Sequence, residues 1–294
     1  MLRKRLIILL CIITLSVLNA QDYNFKNYGQ KQGLVNPNIK YIFQDSYGFL
    51  WFATQGGGIS YFDGKNFITY DKQDGLAGND VICITEDQNK AIWIGTVEGV
   101  SKFDRKKFTN YTIENGLKEN KVFHILCDGN KTWISTFGGG IAILENDKFT
   151  YLTTDNGLSS NKVFSVFKDK SNKYWIGTSK GGINLYNGKS FTVIKESKNF
   201  NSASAFCFFE GNDGKIWVGT PGKGIYYIEN NIFHQIDIPL INTDYISKII
   251  EDKQHNIWCA TEHGLVKLYK DLSYKIFNKD NGLAGVDISS ILCD

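Results

Sequence analysis

Methionine occurs once, alanine nine times and proline three times in 294 residues. Scarce strong helix formers argue against an α-helical bundle, and scarce proline excludes a collagen-like or proline-rich disordered chain. Arginine is nearly missing from the body: past Arg3 and Arg5 only Arg105 remains, and no basic run exceeds Arg105, Lys106 and Lys107. The formal charge of +3 is that of Arg3, Lys4 and Arg5, so the remainder is neutral and offers no phosphate-tracking surface for a nucleic acid.

Long hydrophobic runs are limited to residues 6–18, which as a helix would span about 20 Å against a hydrocarbon core of about 30 Å. Preceded by basic residues and followed by Ala20, this run reads as a signal peptide over residues 1–20, with an uncleaved anchor as the alternative. No second run follows, so membrane contact is expected only through that segment or through a carboxy-terminal part outside this chain. An even cysteine framework is missing too. The five cysteines past the signal, Cys83, Cys127, Cys207, Cys259 and Cys293, are odd in number and lack C-x-x-C spacing. They are expected to be buried small hydrophobes.

What is abundant is glycine, 29 residues, and aromatic side chains, with 6 Trp, 15 Tyr and 20 Phe. Every tryptophan obeys one period: Trp51, Trp93, Trp133, Trp175, Trp217 and Trp258 are 42, 40, 42, 42 and 41 residues apart. Each opens a short motif of the kind Trp93-Ile94-Gly95-Thr96, and a Gly-Leu step recurs at Gly33, Gly75, Gly116, Gly157 and Gly282. Within one period, residues 39–44 and 49–54 read as strands around a turn, Gly56 and Gly57 turn the chain into 58–62, and Asp63-Gly64 is a hairpin signal into 66–70. Four strands per 40 to 45 residues is the pattern of propeller blades. The expected fold is all-β: a β-propeller of four-stranded blades over 21–294, with six complete repeats near 33–74, 75–115, 116–156, 157–198, 199–240 and 241–281.

An incomplete seventh repeat begins at 282, since 282–294 matches 116–128 in register and stops before another Trp strand. Residues 23–28 resemble a fourth strand, so a seven-bladed ring could close with 288–292 innermost and 23–28 outermost. A six-bladed ring with two loose end strands is the alternative. The chain reads as a piece of a longer protein.

The repeated Gly-Leu, the acidic turn, Trp-Ile-Gly-Thr, the Gly-Gly turn and the Phe-Asp-Gly hairpin resemble the two-component regulator propeller repeat. The resemblance covers residues 23–294, although the Gly-Leu step is replaced near 199–203 and 242–244. It implies a periplasmic sensor: such propellers stand outside the inner membrane, ahead of a membrane helix and a histidine kinase, and commonly bind glycan breakdown products, with a homodimer open for the full-length form. A small-molecule or oligosaccharide ligand is therefore expected, with a secreted protein-binding scaffold as the second reading.

A lyase-type propeller enzyme is the third reading, and the residues give it little. His124, His234, His255 and His263 occupy four different repeat positions, and only His263 beside Glu262 sits at a suitable loop. One arginine cannot build the carboxylate-holding cluster of sialidase-like propellers. Neither catalysis by this chain nor a metal or other cofactor is expected. Glu86-Asp87 and Glu251-Asp252 recur at one turn and read as turn formers. For a ligand, the informative positions are those that vary while Trp and Thr do not. They are Asn38, Asp80, Lys121, Lys162 and Tyr245 just before the first strands, and Gln55, Phe137, Glu262 and the adjacent His263 just after each Thr, all on one face around the axis.

Overall fold

The structure, a computed structural model, describes residues 26–194, 200, 204–230 and 232–293. The expected signal segment lies outside the described residues. Six four-stranded antiparallel sheets follow one another along the chain, each with its strands in sequence order, and they form the blades of a propeller ring with almost no helix. Blade one runs Ile39–Gln44, Leu50–Thr54, Ile59–Phe62, Phe67–Tyr70. The innermost strands of the next five are Val81–Glu86, Val122–Asp128, Val163–Lys168, Cys207–Glu210 and Ile246–Glu251.

Each scaffold residue of the repeat has a physical task. The Gly of Gly-Leu ends a single 3-10 turn in the left-handed region, as at Gly75 with φ 104°, and the following Leu76 is buried between blades. The Gly of Trp-Ile-Gly-Thr is a close approach. A Cβ on Gly95 would lie 2.7 Å from Val122 of the next blade, and one on Gly219 would lie 2.9 Å from Ile246. Six threonines, from Thr54 to Thr261, donate their hydroxyls to the carbonyl three or four residues on, closing the turn into the third strand.

The tryptophans fill the spaces between blades, and four of them are anchored. Trp51, Trp93, Trp175 and Trp258 donate Nε1–H to Asp45, Asp87, Asp169 and Asp252 at 2.8–2.9 Å. The same aspartates cap their turns by accepting backbone N–H groups, as Asp252 does from Gln254 and Asn256. Burial alone would raise the Asp252 carboxyl, but hydrogen bonds from Asn256 and Trp258 bring it down to about 2. The glutamates beside them reach backwards: Glu86, Glu210 and Glu251 accept backbone N–H from Ser46, Lys170 and Asn212 in the preceding blade. At the junction of blades three and four the polarity is reversed, with the Lys168 ammonium 2.8 Å from Asp128.

Trp133 and Trp217 have no partner for Nε1 among the described residues. In blade three the turn is one residue shorter, and Asp128 turns to Lys168 and Tyr174 instead. In blade five Gly211 stands where the aspartate should be. Gly211→Asp is expected to gain about 1 kcal/mol by satisfying the Trp217 N–H, once the Asp213 side chain moves aside. Unfolding midpoints of the Asp and Ala variants check this, and equal values would dismiss the indole bond.

Five apolar clusters join consecutive blades, and none of these joins blade six to blade one. There the segment 288–292 intervenes: Ile288 N–H donates to Thr261, Ser247 Oγ donates to the Ile288 carbonyl, and Ile42 N–H donates to Ser290 Oγ. Ile246 makes the same bond to Thr220 one blade earlier, so Ile288 sits at a seventh first-strand position without forming a ladder. The expected outermost strand over 23–28 is not formed over 26–28, and 23–25 lie outside the described residues. Tyr28 nevertheless packs on Phe62 at 5.9 Å, as Tyr70 packs on Phe103 one blade later, at 5.2 Å. Its place in the repeat is thus kept.

The cysteines divide. Cys83 and Cys259 are buried, Cys127 and Cys207 are half-buried, and burial pushes the Cys83 and Cys207 thiols up to about 12. Cys293 is exposed, contrary to expectation: among the described residues no strand lies over the 288–292 segment.

Candidate functional site

The first strands surround an axial cavity of about 800 Å³. Its mouth lies on the face where the first strands begin and the second strands end, and backbone bonds hold the two ranks of varying positions together. Gln55 N–H donates to the Asn38 carbonyl, Phe137 to Lys121 and Ser179 to Lys162, at 2.9–3.0 Å. Of the expected ligand positions, Gln55, Asp80, Lys121, Tyr245 and Glu262 line the cavity, while Asn38, Lys162, Phe137 and His263 stand outside its lining. Phe137 is nonetheless close, its ring 5.2 Å below the ammonium of both Lys121 and Lys162. His263 turns away from Glu262: its Nδ1 is 2.7 Å from the buried Asp244, while Glu262 accepts the Tyr245 backbone N–H. Among the described residues no group of three His, Cys, Asp or Glu side chains is placed to hold a metal ion.

One feature of the mouth is absent from the sequence reading. The ladder between first and second strand shifts register at the second residue of the first strand, for example between Val81 and Cys83 or Val163 and Ser165. A bulge re-aims its extra side chain. In blades one to four and six that residue is Lys40, Ile82, Phe123, Phe164 and Ser247, and in blade five Phe206 holds the equivalent position just ahead of a first strand that pairs without a shift. The three phenylalanines meet edge to face or tilted, Phe123 to Phe164 at 5.5 Å and Phe164 to Phe206 at 5.4 Å. Phe137 extends the arc at one end, 5.1 Å from Phe123, and Tyr245 at the other, 4.4 Å from Phe206. Half-buried aromatic rings thus run over blades three to six at one lip of the cavity. Aligning the repeats and reading down the second first-strand position would have found them.

Deeper in, the next position of the repeat supplies Tyr41, Cys83, His124, Ser165, Cys207 and Lys248. Lys248 reaches across to Tyr41, its ammonium 3.9 Å from the ring centroid. Burial, with Lys248 adding to it, lowers the His124 imidazole to about 4, so it is neutral near pH 7. His124 Nδ1, Ser165 Oγ and Asp80 Oδ1 are buried atoms with no hydrogen-bond partner among the described residues.

Comparison with known proteins bears on this geometry. The model of the two component regulator propeller matches at residues 33–56, 75–98, 157–180 and 199–222. These are two-component regulator propeller repeats. The match at 199–222 includes a blade whose Gly-Leu step is replaced. Among solved structures the chain is similar to what is described as the extracellular domain of a hybrid two-component system, BT3049 of B. thetaiotaomicron. Identity is 27%, the TM-score is 0.77, and 90% of this chain and 38% of that one are covered. A second structure described in the same terms, BT4673 of the same organism, gives 22% identity, a TM-score of 0.74 and coverage of 87% and 38%, a likeness of fold. Virginiamycin B lyase from Staphylococcus aureus gives 16%, 0.70, 93% and 92%, a likeness of fold alone. No curated protein matches the sequence. The regulator propeller chain spans about two fifths of the length of those extracellular domains.

Proposed function

We propose that this regulator propeller is the periplasmic ligand-sensing part of a two-component sensor, and that it receives a glycan-like ligand at the mouth of the axial cavity. The aromatic arc from Phe137 through Phe123, Phe164 and Phe206 to Tyr245 carries this reading. The face of an aromatic ring is electron-rich and attracts the weakly positive C–H groups that one face of a sugar ring presents, so a curved row of rings suits a short saccharide. The surrounding Gln55, Asp80, Lys121 and Glu262 supply the few polar groups that fix orientation in such a site. Sensing is supported by the family of the repeats and by likeness to extracellular domains of two-component systems.

Titrating the protein with size-fractionated polysaccharide digests, read by thermal shift and calorimetry, tests it. One fraction is expected to bind, and Phe164→Ala with Phe206→Ala is expected to weaken that binding tenfold or more, roughly the worth of two ring contacts. Undiminished binding by the double variant would place the ligand elsewhere, and silence of every fraction would remove the glycan.

A further inference from the structure

The waist of the cavity differs in character from its mouth. At the mouth Lys40 and Lys121 are offset by Asp80, Glu262 and Asp287, whereas at the waist Lys248 is the one formal charge among Tyr41, His124, Ser165 and Lys248. Lys248 has no carboxylate partner among the described residues, and its ammonium rests on the Tyr41 ring. Ser165 is 5% exposed and its Oγ is unpartnered, as is Nδ1 of His124. Buried polar atoms without partners cost about 1–3 kcal/mol each, so such a group is normally met by a ligand or by ordered water. A half-buried ammonium beside two more hydrogen-bonding groups, all lining one cavity, is the complement of a small anion with several acceptor lone pairs.

We infer that the ligand carries a carboxylate, as an acidic sugar does, and that Lys248, Ser165 and His124 hold this group at the waist while the neutral part of the ligand stacks on the phenylalanine arc. This deepens the sensing reading and rests on it. Lys248 supplies the charge, Ser165 Oγ–H donates, and the neutral His124 donates from whichever ring nitrogen carries its proton. The cavity, at about 800 Å³, accommodates one or two sugar rings.

Calorimetric titration of the protein with glucuronate, galacturonate, mannuronate and cellobiouronate, each beside its neutral counterpart (glucose, galactose, mannose, cellobiose), decides the matter. At least one acid is expected to bind tenfold or more tightly than its neutral partner, and Lys248→Met is expected to erase that difference while leaving thermal unfolding unchanged. Ser165→Ala, a smaller perturbation of packing, is expected to weaken the acid several-fold. Equal binding of acid and neutral partner, or an acid preference that survives Lys248→Met, overturns the carboxylate site and leaves the glycan reading standing. No binding by any acid up to about 10 mM overturns the carboxylate site as well. The sensing reading itself falls only with the digest fractions and the phenylalanine variants.

Discussion

Replacing Trp51 with alanine is expected to lower the unfolding free energy by about 3–5 kcal/mol. The indole is 1% exposed, packs 4.8 Å from the Tyr61 ring and 6.3 Å from Phe103 of the next blade, and donates to Asp45 at 2.8 Å. Truncation leaves a cavity between two rigid sheets that cannot close on it. The orphaned carboxylate adds little, since Asp45 also meets Arg105 at 2.9 Å and two backbone N–H groups. Trp51→Phe keeps a ring in place and falls between alanine and wild type. Chemical denaturation of the three proteins measures the series. A loss below about 1 kcal/mol for alanine would mean that the repeated tryptophan is not what holds adjacent blades together.

The second large effect is a stability loss on mild acidification. His124 has its imidazole lowered from 6.5 to about 4 by burial and by Lys248. The unfolded chain therefore takes up a proton as the pH falls through 6.5, while the folded protein refuses it until about 4. Stability is flat with respect to this group above 6.5 and declines between 6.5 and 4, by at most about 1.4 kcal/mol per pH unit. The carboxylates work in a separate window. Asp128, Asp169 and Asp252 are lowered from 3.8, so their stabilisation is present above 3.8 and disappears only as the pH falls further, for Asp252 through about 2. His124→Gln is expected to remove the decline between pH 6.5 and 4 and to leave the acid limb in place. Denaturation midpoints across that range decide it, and parallel profiles for the two proteins would refute it.

Much of the scaffold was legible because a ring makes the same demand in every blade. A tryptophan between sheets, a threonine closing a turn and a glycine where the next blade approaches are required six times, and so they recur. The candidate site was legible only in part, for the opposite reason. Asp80, Lys121, Tyr245 and Glu262 stand out by varying beside fixed neighbours. Phe123, Phe164 and Phe206 do not, since in an apolar strand a phenylalanine reads as core. For Phe123 and Phe164 only the register shift at that position, a property of the backbone, lifts the ring to the lip of the cavity. His263 misled in its partner. Asp244, nineteen residues upstream, lies in a crossing whose Gly-Leu step is replaced, and there the chain folds back to pair with it.

The reversed ion pair between Asp128 and Lys168 acts as an address. Near-identical modules threaded on one chain are prone to dock out of turn, because each presents the same surface to every other. Had the third module met the second, fifth or sixth as its successor, Asp128 would oppose Glu86, Glu210 or Glu251 and lose the Lys168 ammonium. That one junction of opposite polarity favours the third and fourth modules as neighbours.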